Sequence, residues 1–235
     1  MIAIFKREFK AYFTSPLGYL VIAAMALFEG FSFVSMFANG YAANEYTILA
    51  QLSLAAIVIP VLTMRLFSEE RKQKTDQVLI TAPVSLWGIV FGKFASAFAV
   101  FALSFSPTLI YQVIYTSRLD ALNWLIYLGA LFGVLLYGAA LIAICMFISS
   151  LTESQVVSAV MGIVVAMLLV NIYSFVASTT NAQWLLNLAE KISFDIRYQD
   201  FYKGIIDFSN IVFFGGIAFL FIFLTVRMLD KRRWA

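Results

Sequence analysis

Residues 125–148 read LIYLGALFGVLLYGAALIAICMFI, a stretch with no charge, no proline and no side-chain amide. As an α-helix rising 1.5 Å per residue it spans about 36 Å, enough to cross a hydrocarbon layer of about 30 Å. A lone strand there would leave its backbone N–H and C=O groups unpaired in lipid, so the helix is the reading that hydrocarbon permits. Outward from this run lie five more: Leu17–Ala38, Thr47–Met64, Phe94–Tyr115, Val156–Ala177 and Ile211–Met228. The 235-residue chain is 63% hydrophobic and 12% charged, whereas soluble domains carry about 25% charged residues. The expectation is an all-α polytopic membrane protein: six transmembrane helices in one domain over residues 1–235. The first run exceeds the apolar core of about 7–15 residues in a signal peptide, and five spans follow it, so it reads as a retained helix.

The basic residues orient the bundle. Lys6, Arg7, Lys10, Arg65, Arg71, Lys72, Lys74, Lys93, Arg227, Lys231, Arg232 and Arg233 fall on one side, against Arg118, Lys191, Arg197 and Lys203 on the other. The richer side is expected in the cytoplasm, with both termini. A net charge of +3 gives no reason to expect a nucleic-acid partner.

Three segments do not read as spans. Residues 1–15 are amphipathic: Ile2, Phe5, Phe9, Tyr12 and Phe13 share a face opposite Lys6, Arg7 and Lys10, which suits a helix on the membrane surface ending before Pro16. Residues 65–86 form a charged loop whose cluster at Glu69–Asp76 is followed by apolar Val78, Leu79 and Ile80 and then Pro83. It reads equally as a docking helix and as a solvated spacer between spans. Residues 178–210 hold Glu190, Lys191, Asp195, Arg197, Asp200 and Lys203, too many charges for a seventh span. Two apolar sets at helical spacing, Trp184–Ile192 and Tyr198–Ile205, predict two short interfacial helices on the outer side.

The chain has no histidine, and Cys145 is its only cysteine, set in an apolar run. The commonest general base, the commonest metal ligand and any intrachain disulfide are thereby excluded, and an enzyme is not expected. Glu29 is the one ionisable side chain deep inside a span, about 18 Å from Leu17 along the helix. A charge at that depth costs about 2.5–3.5 kcal/mol, which the helix's many Leu, Phe and Val residues offset at about 0.3–0.6 kcal/mol each. Glu29 therefore reads either as a pathway carboxylate or as a buried acid satisfied by a neighbouring helix. Gly88–Phe94 echoes a phosphate-binding loop, but its glycine spacing is one short and Phe94 stands where Ser or Thr belongs. Gly129 and Gly133, separated by three residues, suit a close helix approach.

Glu69-Glu70-Arg71, Thr75 and the run VLITAPVS at 78–85 resemble the coupling-helix signature of type-2 ABC transporter permeases. Residues 5–19 resemble the elbow helix of that family, and residues 194–204 with Arg232-Arg233-Trp234 resemble its C-terminal part. The closest subgroup is the GldF-like, gliding-motility-associated permeases. Lys74 stands where the signature has glycine, and Gln77 where it often has glutamate. The resemblance implies a permease in a bacterial inner membrane with a partner: a separate cytoplasmic ATPase subunit binds ATP and magnesium, and this chain holds no cofactor. It implies ATPase coupling through Glu69, Glu70, Arg71, Lys74, Thr75, Gln77 and Leu79. Trp184, Tyr198, Phe201 and Tyr202 are the implied outer gate. A second copy would complete the pathway as a homodimer, an auxiliary membrane subunit is expected, and the direction implied is export. The high aromatic content, 17%, suits an amphipathic cargo such as a lipid or peptide. Two competing readings are a secondary transporter or channel using Glu29 as its ion or proton site, and an anchor that recruits an ATPase.

Overall fold

Ser15 and Pro16 set the first corner of the chain. Proline cannot donate a backbone hydrogen bond, so α1 (Ile2–Thr14) ends ahead of it and α2 (Leu17–Ala38) begins with Pro16 as N-cap. The computed structural model describes residues 1–39, 45–74, 85–119, 124–180 and 182–233. The further helices are α3 (Glu45–Thr63), α4 (Arg65–Lys72), α5 (Leu86–Ser104), α6 (Ser106–Leu119), α7 (Trp124–Leu151), α8 (Gln155–Thr179), α9 (Gln183–Ile192), α10 (Phe194–Tyr202) and α11 (Phe208–Arg233). No strand occurs among the described residues. Among the described residues, six helical stretches are long and apolar enough to cross a membrane: Leu17–Ala38, Thr47–Lys72, Leu86–Ser117, Trp124–Leu151, Gln155–Thr179 and Phe208–Lys231. The protein is an all-α, multi-pass membrane protein.

Two spans depart from their expected limits. The second runs on into α4, through residues expected in the loop, because Leu66, Phe67 and Ser68 are buried against the end of α7. The third starts eight residues earlier than Phe94, at Leu86, where the Ser85 hydroxyl caps it by accepting from the Gly88 N–H at 3.2 Å. It is then interrupted at Phe105, since Pro107 has no N–H with which to continue the ladder.

α7 is the axis of the bundle and packs against α3, α4, α5, α8, α10 and α11. α3 and α7 are mostly buried, whereas α2, α8 and α11 turn long apolar faces outward, among them Leu27, Phe31, Val156, Val160, Leu168 and Phe219. Lipid tails are as apolar as these side chains, so the exposure carries no penalty in a bilayer. The bundle has a terminal end, formed by α1, α4, the start of α5 and the end of α11, and a far end, formed by α9 and α10.

The two glycines of α7 receive α10 rather than another span. A Cβ at Gly133 would stand 2.5 Å from the Phe201 Cβ, and one at Gly129 would stand 3.4 Å from the Phe201 carbonyl oxygen. Beside them the Tyr198 hydroxyl donates to the Ala130 carbonyl at 3.1 Å. Gly133→Val is expected to overpack this contact and cost about 1–3 kcal/mol, read as a lower melting temperature in detergent. Gly215→Ala, at a position with nothing within 4 Å, should cause no loss. Equal effects of the two substitutions would refute the packing role of Gly133.

Candidate functional site

At the terminal end an ammonium group is buried among three helices. Lys93, on the second turn of α5, is 1% exposed. Its Nζ donates to Glu8 Oε1 at 3.2 Å, to Glu70 Oε1 at 2.9 Å and to the Leu66 carbonyl at 2.7 Å. An ammonium has three N–H donors, and here each has an acceptor. The Phe67 ring covers the group, its centroid 5.1 Å from Nζ. Arg7 closes the cluster from the solvent side through Glu8 and Glu70, the latter at 3.1 Å. Burial alone would raise the Glu8 carboxyl, but Lys93 and Arg7 outweigh it and hold Glu8 below the usual carboxylate range.

Further ties hold α4 against α1 and α7. The Tyr12 hydroxyl donates to the Leu62 carbonyl at 2.9 Å, and the Arg65 guanidinium lies over the Tyr12 ring at 5.0 Å while donating to Ser15 Oγ at 2.9 Å. Met64, the N-cap of α4, has no side-chain acceptor to offer. Ser149 on α7 supplies one: its Oγ accepts from the Phe67 and Ser68 N–H groups at 3.2 Å each and donates to the Met64 carbonyl at 2.9 Å. Farther along α4, Arg71 reaches Glu153 at 2.9 Å, at the α7–α8 junction. Helices α1, α4, α5 and α7 are thus tied together at this end by buried hydrogen bonds.

The residues singled out from sequence are distributed as follows. Glu69 is half-buried; Glu70 and Arg71 have their side chains in the internal pairs just described; Lys72 and Lys74 are exposed. Lys74 follows the C-cap Gln73 with φ 57°, the left-handed conformation that favours glycine, and its N–H closes the helix end on the Arg71 carbonyl at 3.1 Å. Thr75, Gln77 and Leu79 lie outside the described residues, as do Val78, Ile80 and Pro83. A cleft of about 440 Å³ beside Lys72 is lined by Glu153, Ser154, Gln155 and Val156. Glu29 is fully buried on α2. At the far end Tyr198 and Phe201 are buried, Tyr202 is half-buried and Trp184 is exposed. A polar cup of about 490 Å³ there is lined by Glu190, Lys191, Arg197, Asp200, Lys203 and Asp207.

Sequence reasoning missed Lys93, Glu8, Tyr12 and Ser149 as a unit. The available signal was a lysine set among Val90, Phe91, Phe94 and Phe98, which demands acceptors wherever the helix is buried. A family model described as ABC-2 family transporter protein matches residues 2–234. A search of curated proteins finds no match.

Removing the buried cation leaves two partly buried carboxylates, Glu8 and Glu70, sharing the half-exposed Arg7, so Lys93→Met is expected to cost about 3–5 kcal/mol. Because the folded state lowers the Glu8 pKa, its stabilisation is present above the ordinary carboxylate range and is lost as the pH falls through the folded value. Melting curves against pH should therefore fall more steeply in acid for the parent protein than for Glu8→Gln. Lys74→Gly should stabilise by about 1 kcal/mol by relieving the left-handed backbone, measured in the same melts.

Proposed function

We infer that this chain, which belongs to the ABC-2 transporter family, is the membrane permease of an ATP-driven transporter whose ATPase subunit docks on its terminal end. The observation that carries the reading is the Lys93 cluster. Through it a push on α4 reaches α1 and α5 directly, and through Ser149 it reaches α7, the axis of the bundle. A surface helix held by exposed contacts alone would yield before passing displacement on; one held by a buried, fully hydrogen-bonded ammonium moves with its neighbours.

In this reading the ATPase contacts come from Glu69, Lys72 and Lys74 and continue into Thr75, Gln77 and Leu79. Glu70 and Arg71 hold α4 in place. ATP and magnesium sit on the ATPase subunit. The excess of basic residues at the terminal end supports its placement in the cytoplasm, hence an inner-membrane protein with both termini inside. Six spans form half of a pathway, and a second copy supplies the other half. ATP-driven closure of the ATPase pair then alternates access between the two sides, with Trp184, Tyr198, Phe201 and Tyr202 near the outer opening. Resemblance to GldF-like permeases supports export and an auxiliary membrane subunit, and the aromatic content of 17% supports an amphipathic cargo.

The test is to tag the full chain in its native cells, solubilise gently and identify what co-purifies. A stoichiometric ATPase is expected. Lys72→Glu with Lys74→Glu, both exposed, should lower its recovery roughly tenfold while the permease elutes unchanged, the size expected for repulsion at a charged contact. Recovery of the chain without an ATPase across several mild detergents would sink the proposal.

A further inference from the structure

Three fully or nearly fully buried side chains on three helices have polar atoms with no hydrogen-bond partner among the described residues. They are Glu29 on α2 (both carboxylate oxygens), Gln51 on α3 (Oε1 and Nε2) and Gln112 on α6 (Oε1). Their exposures are 0%, 0% and 3%. The helices bring them to one region of the bundle. Thr47 Oγ1 meets Met36 Sδ at 3.8 Å, which sets the register of α2 against α3. One turn along each helix, Gln51 comes level with Ser32, three residues from Glu29. On α6 the Tyr111 hydroxyl lies 3.3 Å from the place of a Cβ on Gly30, and the Tyr111 ring stacks on Phe33 at 4.4 Å. Thr108, one turn from Gln112, shares a hydrogen bond of 2.9 Å with the Tyr127 hydroxyl of α7. Glu29 is within electrostatic reach of the Tyr111 and Tyr127 hydroxyls.

The balance of donors and acceptors in this group is lopsided. Four of the five unpartnered atoms are oxygens, two of them on a carboxylate, and the one nitrogen belongs to a neutral amide. A carboxylate without a donor or cation at this depth costs several kcal/mol. Among the described side chains, the charged residues on the helices packed against α2 do not supply the missing charge. Lys93 is engaged with Glu8 and Glu70, and Lys6, Arg7 and Lys10 sit on α1 at the terminal end. Glu45 opens α3, and the backbone of Arg118 lies six residues beyond Gln112, about 9 Å along α6.

We propose that Glu29, Gln51 and Gln112, with the hydroxyls of Thr108 and Tyr127, form an intramembrane binding site for a small monovalent cation. One carboxylate surrounded by neutral oxygens suits a hard ion of single charge, either sodium or a proton. Occupied, the site is neutral, and α2 stays packed on α3 and α6. The site stands whether or not an ATPase docks at the terminal end.

The test uses the purified full-length chain in lipid nanodiscs, melted over a range of pH in sodium or in N-methylglucamine at equal ionic strength. In the parent protein, melting should respond to sodium at fixed pH if sodium is the ligand, or to pH alone if it is the proton. Glu29→Gln should abolish that response. Gln112→Leu, which keeps the carboxylate, should shift the midpoint of the response at least about tenfold in ion concentration, the loss of one ion–oxygen contact. Parent melting that follows neither ion, or that Glu29→Gln follows equally, overturns the proposal. Should Glu29→Gln fail to fold, a Gln112→Leu response identical to the parent's overturns it.

Discussion

Taking an ammonium out of water costs several kcal/mol unless acceptors surround it, and at the terminal end of this bundle that cost governs where four chain segments lie. Lys93 projects from an apolar helix that has no carboxylate of its own to offer. Glu8 must come from α1, Glu70 and the Leu66 carbonyl from α4, and each fixes its helix against α5. Once α4 is there, its unsatisfied first-turn N–H groups face α7, and Ser149 meets them. The arrangement follows from one requirement, that no buried polar group be left without a partner.

The two ends of the bundle meet that requirement differently. At the terminal end the Lys93 ammonium and the first-turn N–H groups of α4 are satisfied by groups reaching across from other helices, and the result is a cross-tied block. At the far end the closest packing is aromatic. Phe201 fills the space left by Gly133, and Phe194, Phe213, Phe214 and Tyr137 meet edge to face around it. Edge-to-face rings hold shape with little directional bonding, so the two ends differ in what must be broken to move them. Between them, Glu29, Gln51 and Gln112 have neither solution among the described residues.

The spans were legible because hydrocarbon leaves the backbone no alternative to a helix, so long apolar runs translate directly into structure. Their limits were less so. The second span was read as ending at Met64 because Arg65, Glu69, Glu70 and Arg71 look like a loop, yet α4 buries Leu66 and Phe67 on one side and pairs its charges on the other. Lys93 was counted with the loop lysines because its neutralising partners lie 85 and 23 residues away in sequence, beyond any local pattern. The close approach at Gly129 and Gly133 was readable from their spacing, but that spacing does not say what approaches. The partner is a ring from a nine-residue helix rather than a second span. Lys74 is the converse case: its departure from a glycine pattern marks a backbone position, φ 57°, that the helix end imposes.

The order of residues in the Lys93 cluster bears on how the protein is made. Synthesis runs from the N-terminus, and both carboxylates, Glu8 and Glu70, precede Lys93 along the chain. When the ribosome delivers α5 to the membrane, the acceptors its lysine requires have already been translated. The third span can therefore enter the bilayer with its charge neutralised by earlier segments, without waiting for the later half of the protein. Ser149 and Glu153 are translated afterwards, so the restraints they place on α4 come from the later half of the chain.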